Sequence, residues 1–166
     1  MSRLGAVALV GATVASLGVL GLATAHAPKL VVLNESPSLA RGLYVRAPSQ
    51  AAVRGAVVAI AQPGNARAYL AGLRMPVDVP LLKRVVATAG DSACAAAGRV
   101  QLPDRILQVR ARDRFGAALP VWRGCRRLAA GEVFVVGDTP NSFDSRYFGP
   151  VPHGAVEGVF RRLVTW

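Results

Sequence analysis

The chain has 166 residues, with 20 lysine and arginine residues against 9 aspartate and glutamate residues and a net charge of +11. This length fits one ordinary domain, and a hydrophobic content of 52% is too high for a disordered chain and too low for a protein with several membrane spans. Two histidines and two cysteines do not make a zinc site of the usual ligand spacing, so we expect no metal.

The first predicted element is an uncharged apolar segment from Leu4 to Ala25. A helix needs about 20 apolar residues to cross a bilayer, so this segment is long enough to span one. A cleavable signal peptide is the alternative, because residues 25–27 read small-x-small, although Pro28 would be a poor first residue after cleavage. We therefore predict a cytoplasmic tip and retained single-pass anchor in residues 1–27, followed by a globular domain in residues 28–166.

The charge pattern indicates where this domain lies and what it contacts. The positive-inside rule keeps the short tail with Arg3 in the cytoplasm, which places the domain on the periplasmic side of the inner membrane. The other arginines are scattered, without the aromatic-interleaved stripe of a nucleic-acid interface, so anionic lipid head groups are the simpler partner. Only Lys29 and Lys83 are lysines, and a desolvated lysine, unlike arginine, can act as a base.

Short apolar runs separated by turn residues follow the anchor and predict a mainly β domain with an antiparallel sheet. Residues 66–73 differ, because their apolar side chains have helical spacing, with Asn65 placed to cap a short helix and Pro76 beyond its end. The sequence has no glycine-rich phosphate loop or dinucleotide fingerprint, so we expect no nucleotide cofactor. The predicted strands are Lys29–Leu33, Ala56–Ile60, Leu81–Ala87, Arg105–Val109, Val133–Val136 and Val159–Val164.

Two segments on or next to these strands, residues 34–44 and residues 81–91, contain polar side chains that are candidate catalytic residues, and they are called here the first and second polar segments. In the first, Pro37 restricts the backbone between Ser36 and Ser38 and gives Ser38 a defined position, although an ordinary surface turn has the same composition. In the second, Lys83 lies between aliphatic neighbours on one face of a predicted strand. Burial there would lower the pKa of Lys83 and make it a base, whereas a sheet-edge lysine that blocks aggregation is the alternative.

The third polar segment, residues 137–150, is a dense turn after an apolar strand. Asp144 and Arg146 are two positions apart, so in extended backbone they could point the same way and form a charge-assisted pair that fixes the loop. The alternative is a structural turn with a surface salt bridge. Together the three segments provide a serine nucleophile, a lysine base and a polar loop, and neither His26 nor His153 is placed to complete a Ser-His-Asp triad. Ser-Lys is the recognised variant of that chemistry.

The order of these motifs resembles the membrane-bound serine-lysine signal peptidases. The motifs are the anchor, Ser-x-Ser-Leu, LLKRV-x-x-x-x-GD and SFDSRYFGP. Within that group, SPSLARGLY, W-x-x-C-x-x-L, GE-x-F and SFDSRYFGPV are most similar to the conjugative-transfer peptidases of the TraF type, which mature pilin precursors. Residues 139–141 alone separate GD from Ser142, and this short loop favours the conjugation-type branch over the general secretory one.

The resemblance implies a largely β catalytic fold without metal or cofactor, and a role for each motif residue. Ser38 would be the nucleophile and Lys83 the general base, while the Ser38 N–H and the Ser36 hydroxyl would form the oxyanion hole. Ala40 stands where the family usually has proline, so we expect a looser turn after the nucleophile. Three further residues would support the pair. Ser142 would hydrogen-bond to the Lys83 amine, and Asp144 and Arg146 would hold the loop.

The two cysteines, Cys94 and Cys125, lie on the predicted outer side of the membrane. A disulfide persists in that compartment, so we predict that they are bonded, with a pair of buried free thiols as the alternative. The bond would constrain the unfolded chain and stabilise the domain.

The sequence therefore predicts a membrane-anchored serine endopeptidase that trims a propilin through an acyl-enzyme. Water would release a linear product from that intermediate, and the substrate's own N-terminal amine would release a ring. A general type I signal peptidase and a catalytically silent envelope scaffold are the alternatives. The expected partners are a propilin or other preprotein, the inner membrane and proteins of the conjugative transfer apparatus, but not nucleic acid.

Overall fold

The computed structural model describes residues 28–166, which form two antiparallel sheets. The strands in chain order are β1 (Val31–Asn34), β2 (Gly42–Arg46), β3 (Val57–Ile60), β4 (Leu81–Thr88), β5 (Ser92–Ala96), β6 (Arg99–Leu102), β7 (Arg105–Gln108), β8 (Cys125–Arg127), β9 (Glu132–Val136), β10 (Val151–Pro152) and β11 (Val156–Thr165). The larger sheet has the order β1-β2-β11-β3-β4-β9-β10, and the smaller has the order β7-β6-β5-β8. The prediction of a mainly β, antiparallel domain is confirmed.

A short helix, α1 (Arg67–Gly72), follows a 3₁₀ turn at Gly64–Ala66 and confirms the predicted helix. The predicted cap is wrong, because Asn65 Nδ2 instead donates to the Phe148 carbonyl at 3.1 Å. The Asn65 side chain makes this tertiary hydrogen bond instead of a local capping hydrogen bond. One further helical turn, α2 (Ser145–Phe148), was not predicted.

The predicted anchor, residues 4–25, lies outside the described residues. Within residues 28–166, no helix is both long enough and apolar enough to cross a membrane. The retained anchor, its orientation and the boundary after residue 27 therefore stay predictions.

Apolar side chains form three buried clusters. The first packs Leu70 of α1 against Val85 of β4, and the second joins the two sheets through Phe134 of β9 and Val100 of β6. The third contains Leu39, which is 2% exposed and directly follows Ser38. Because burial of a leucine side chain contributes roughly 1.5–3 kcal/mol, the third cluster anchors the segment that contains Ser38.

The smaller sheet contains the predicted disulfide. Cys94 of β5 and Cys125 of β8 are opposite each other in the antiparallel register and are bonded, so the alternative of free thiols is wrong. The bond joins positions separated by 31 in the sequence and closes the loop that contains β6 and β7.

Candidate active site

A cleft of about 830 Å³ opens beside β1, β4 and α1. Four predicted site residues, one or more from each polar segment, line it: Ser36, Ser38, Lys83 and Ser142. Asp144 and Arg146 follow Ser142 in the sequence and are buried, and Arg146 donates to the Ser142 carbonyl at 2.8 Å. The structure thus brings the three polar segments together, although they are far apart in the sequence.

The turn that contains Ser38 is held by Asn34 at the end of β1. Asn34 is 6% exposed, and its Nδ2 donates to three carbonyls of the turn, those of Ser36 at 3.0 Å, Leu39 at 3.2 Å and Ala40 at 3.1 Å. Tyr44 Oη also donates to the Ala40 carbonyl, at 2.8 Å. These hydrogen bonds fix the turn without the proline that is usual at Ala40, so side chains supply the restraint that we expected to be missing.

Ser36 and Ser38 contact each other directly. Their Oγ atoms are 2.8 Å apart, and the Ser38 N–H donates to Ser36 Oγ at 3.2 Å. The two groups predicted to form an oxyanion hole are therefore adjacent, but they hydrogen-bond to one another. To bind an oxyanion, both donors would have to exchange this contact for the substrate oxygen.

Gly137 lets the third polar segment approach the first. A Cβ at this position would overlap Ser142 Oγ and would lie 2.7 Å from the Ser38 carbonyl oxygen. The same carbonyl accepts a hydrogen bond from the Asp138 N–H at 2.6 Å, and the Asp138 carboxylate pairs with Arg84 through two bonds of 2.8 Å. The close approach therefore requires glycine, and backbone and side-chain bonds on both sides hold it.

Lys83 lies on β4, between β3 and β9 in the interior of the larger sheet. The alternative of a solvated edge lysine is wrong, because Lys83 is 4% exposed. Burial lowers its pKa from 10.5 to about 8; the negative charge of Asp144 raises the value and the positive charge of Arg146 lowers it. At pH 7, about one Lys83 amine in ten is then neutral, against about one in three thousand for a pKa of 10.5.

Ser142 does not make the hydrogen bond that was predicted for it. Its hydroxyl is buried and has no hydrogen-bond partner among the described residues, so the predicted contact with the Lys83 amine is wrong for this structure. The physical reason is that Ser142 packs its Oγ against Gly137, where a side chain would otherwise be.

Asp144 and Arg146 form the predicted charge pair. The guanidinium donates to both carboxylate oxygens, at 2.8 and 2.7 Å, and the Gly137 N–H donates to Asp144 at 3.0 Å. The alternative of a surface salt bridge is wrong, because both side chains are buried. The extended geometry is also wrong, since Asp144 caps α2 and Arg146 lies within that helical turn. Arg146 fixes the polar loop by donating to four further carbonyls, those of Gln108, Thr139, Pro140 and Ser142.

Aromatic residues form an apolar wall of the cleft that was not predicted. The ring of Phe143 lies 4.5 Å from that of Tyr69 and 5.5 Å from that of Tyr147. Tyr69 Oη donates to Asp113 at 2.9 Å, and burial together with this bond raises the pKa of Tyr69 to about 12. Phe143 belongs to the SFDSRYFGP motif, so its position in that motif could have indicated this wall. Among residues 28–166, no group of histidine, cysteine, aspartate or glutamate is arranged to hold a metal ion.

Comparison with known proteins identifies the family. A family model described as signal peptidase, peptidase S26, matches residues 3–166. The chain belongs to this signal peptidase family. The resemblance indicated by the sequence motifs is therefore confirmed, and the S26 family supports a serine peptidase in general.

Relatives of this S26 protein include two transfer proteins. Plasmid transfer protein TraF of Escherichia coli is 32% identical over 81% of this chain and 82% of its own length. Conjugal transfer protein TraF of Agrobacterium fabrum is 31% identical over 93% and 97%, respectively. A solved signal peptidase I from Enterococcus faecalis is 22% identical, covers 68% of this chain and 98% of its own, and superposes with a TM-score of 0.41.

Proposed function

We propose that this protein is the peptidase of a conjugative transfer system and cleaves a propilin with Ser38 as nucleophile and Lys83 as general base. The observation that carries the proposal is a lysine buried in the interior of a sheet, with a pKa lowered to about 8, on the same cleft as two hydrogen-bonded serines. The TraF names of the relatives support the conjugative setting.

The proposed reaction begins when Ser38 Oγ attacks the scissile carbonyl carbon and its proton passes to the neutral Lys83 amine. The Ser38 N–H and the Ser36 hydroxyl then donate to the oxyanion, where one donor can contribute about 3 kcal/mol. Collapse of the tetrahedral intermediate breaks the C–N bond, and the Lys83 ammonium returns the proton to the leaving amine. Attack on the ester by water gives a linear product, and attack by the substrate's own amine gives a ring.

The supporting residues are proposed to position the catalytic groups and to set the charge around them, without contacting the substrate. Arg146 pairs with Asp144 and donates to the Ser142 carbonyl, so the two residues hold the loop that lines the cleft together with Lys83. Residues 4–25 are proposed to anchor the protein in the inner membrane, with the cleft on the periplasmic side.

Mass spectrometry of a candidate propilin tests this function. The precursor is incubated with the detergent-solubilised full chain, with Ser38→Ala, and with Ser49→Ala as a matched control at an exposed serine. We expect trimming by wild type and Ser49→Ala but not by Ser38→Ala, and a product one water lighter than the trimmed chain would show cyclisation. Cleavage of exported preproteins but not of propilin would favour a general signal peptidase, and no cleavage of either would favour a scaffold.

A further inference from the structure

The cleft has a second charged element that the proposed bond-breaking chemistry does not use. Residues 110–119 form a small hairpin, called here the arginine hairpin, in which Arg112 pairs with Ala118. The Asp113 side chain closes its turn by accepting from the backbone N–H groups of Phe115 at 2.8 Å and Ala117 at 2.9 Å. The hairpin lines the same cleft as Ser38 and Lys83.

Partly buried hydrogen bonds fix the arginine hairpin to the rest of the site. Arg146 donates at 3.2 Å to the carbonyl of Gln108, the last residue of β7 and two positions before the hairpin. At the base of the hairpin, the Arg110 N–H donates to Tyr147 Oη at 3.3 Å. At its turn, Tyr69 Oη donates to Asp113. The strand end before the hairpin is thus bonded to the same Arg146 that holds the polar loop, and the hairpin itself is bonded to Tyr147 and Tyr69, so its side chains are presented to the cleft on a fixed frame.

Three guanidinium groups on the hairpin line the cleft, those of Arg110, Arg112 and Arg114. All three side chains are exposed, and within residues 28–166 none of them forms an ion pair. Most of their N–H donors have no acceptor within the described residues. Arg112 donates one hydrogen bond to the Gly116 carbonyl, and the guanidinium of Arg114 lies over the ring of Phe115. The one acid of the hairpin, Asp113, already binds the turn and Tyr69.

We propose that the arginine hairpin binds a carboxylate of the peptide substrate, either an acidic side chain or the C-terminal carboxylate of the precursor. The planar fork of a guanidinium matches a carboxylate, and a fixed frame reduces the ordering that binding requires. The hairpin therefore selects the substrate and sets its register relative to Ser38. This inference rests on the proposed function, because it takes the occupant of the cleft to be a peptide.

Peptide binding to the full-length Ser38→Ala protein tests the inference without requiring turnover. Fluorescently labelled, alanine-rich peptides carry one Glu or one Gln at each position in turn on both sides of a central Ala-Ala bond. Each peptide is made with a free and with an amidated C-terminus, and affinity is measured by anisotropy in detergent micelles. We expect at least one carboxylate-bearing peptide to bind about tenfold more tightly than its neutral counterpart, with a smaller ratio at high salt. A Glu preference identifies a side-chain ligand, and a free-acid preference identifies a terminal one.

Matched variants assign the preference to the hairpin. In the Ser38→Ala background, the double variant Arg110→Gln with Arg114→Gln should bind the carboxylate-bearing and the neutral peptide with about equal affinity. The double variant Arg99→Gln with Arg123→Gln should retain the tenfold ratio of these affinities. The second pair removes the same charge from exposed arginines that do not line the cleft. Absence of any carboxylate preference, including absence of binding, overturns the inference, as does a preference that persists in the first pair. The two proposals fail separately: if wild type leaves the propilin uncut while the carboxylate preference depends on these arginines, the proposed reaction fails and the hairpin is still a site for a peptide carboxylate.

Discussion

Burial of Lys83 should destabilise the folded protein, and the substitution Lys83→Met measures by how much. The pKa of Lys83 is 10.5 in its ordinary state and about 8 in the fold, mainly because burial disfavours the charged amine. Each pKa unit corresponds to about 1.4 kcal/mol, so the charged lysine costs about 3 kcal/mol of folding free energy. Methionine has a similar length and no charge, so Lys83→Met should be more stable than wild type by about this amount at pH 7.

The lowered pKa of Lys83 also determines how the folding stability changes with pH. The folded pKa is lowered, so between pH 8 and pH 10.5 the unfolded chain binds more protons than the folded chain, and stability rises with pH through that window. Below pH 8 the full cost is present, and above pH 10.5 it has vanished. The stability difference between Lys83→Met and wild type should therefore be constant from pH 6 to pH 8 and should shrink as the pH rises further.

Urea unfolding of the full chain in one detergent, at pH values from 6 to 10, provides the measurement. Lys29→Met is the matched control at the other lysine, which is exposed and pairs with Glu157 at 3.7 Å. Loss of such a surface pair changes stability by at most about 1 kcal/mol. A Lys83→Met protein that is less stable than wild type at pH 7, or a difference that does not change up to pH 10, would refute the reasoning.

Three further predictions concern the chemistry, the turn beside Ser38 and the disulfide. The rate should rise about tenfold per pH unit up to about pH 8, because only the neutral Lys83 amine accepts a proton, and a rate already constant from pH 6 would contradict this assignment. Gly137→Ala should lower kcat/KM at least a hundredfold, because the new Cβ would displace the Ser38 carbonyl and Ser142, whereas Gly154→Ala, where a Cβ meets no neighbour, should not. Equal activity of the two variants would show that the close approach is dispensable. Reduction of the disulfide should lower the free energy of unfolding by roughly 3–4 kcal/mol in urea titrations, and unchanged stability would mean that the loop is restrained by other contacts.

The strands that could be predicted from the sequence are those with continuous apolar runs. β4 and β9 are buried on both faces, and their valine- and leucine-rich sequences contrast with the turns around them. The smaller sheet was mostly missed, because β5 (SACAA) and β8 (CRR) carry small or charged residues with no apolar alternation. Their pairing depends on the disulfide and on the second core cluster, which are tertiary features that local periodicity does not contain.

The residues of the candidate site also divide into those that the sequence could predict and those that depend on tertiary contacts. Ser38 and Lys83 could be proposed because the motif order resembled a known family, and the structure places both on one cleft. The support around them depends on long-range geometry: Asn34 reaches carbonyls on both sides of Ser38, and Gly137 admits Ser142 beside the Ser38 carbonyl. Sequence spacing gives no indication of such contacts, since each residue alone is an ordinary strand-end or turn residue.

The pairing of Asp144 with Arg146 explains how a buried lysine can lose its proton close to a carboxylate. An unpaired aspartate would hold Lys83 in its charged form, and the charge of Asp144 does raise the pKa of Lys83. Arg146 occupies both carboxylate oxygens, and its own positive charge lowers the pKa of Lys83 in turn. Because a guanidinium stays protonated, the contribution of Arg146 is still present at the pH at which Lys83 titrates. An arginine at position 146 and a lysine at position 83 are therefore not interchangeable: the first keeps its charge so that the second can lose it.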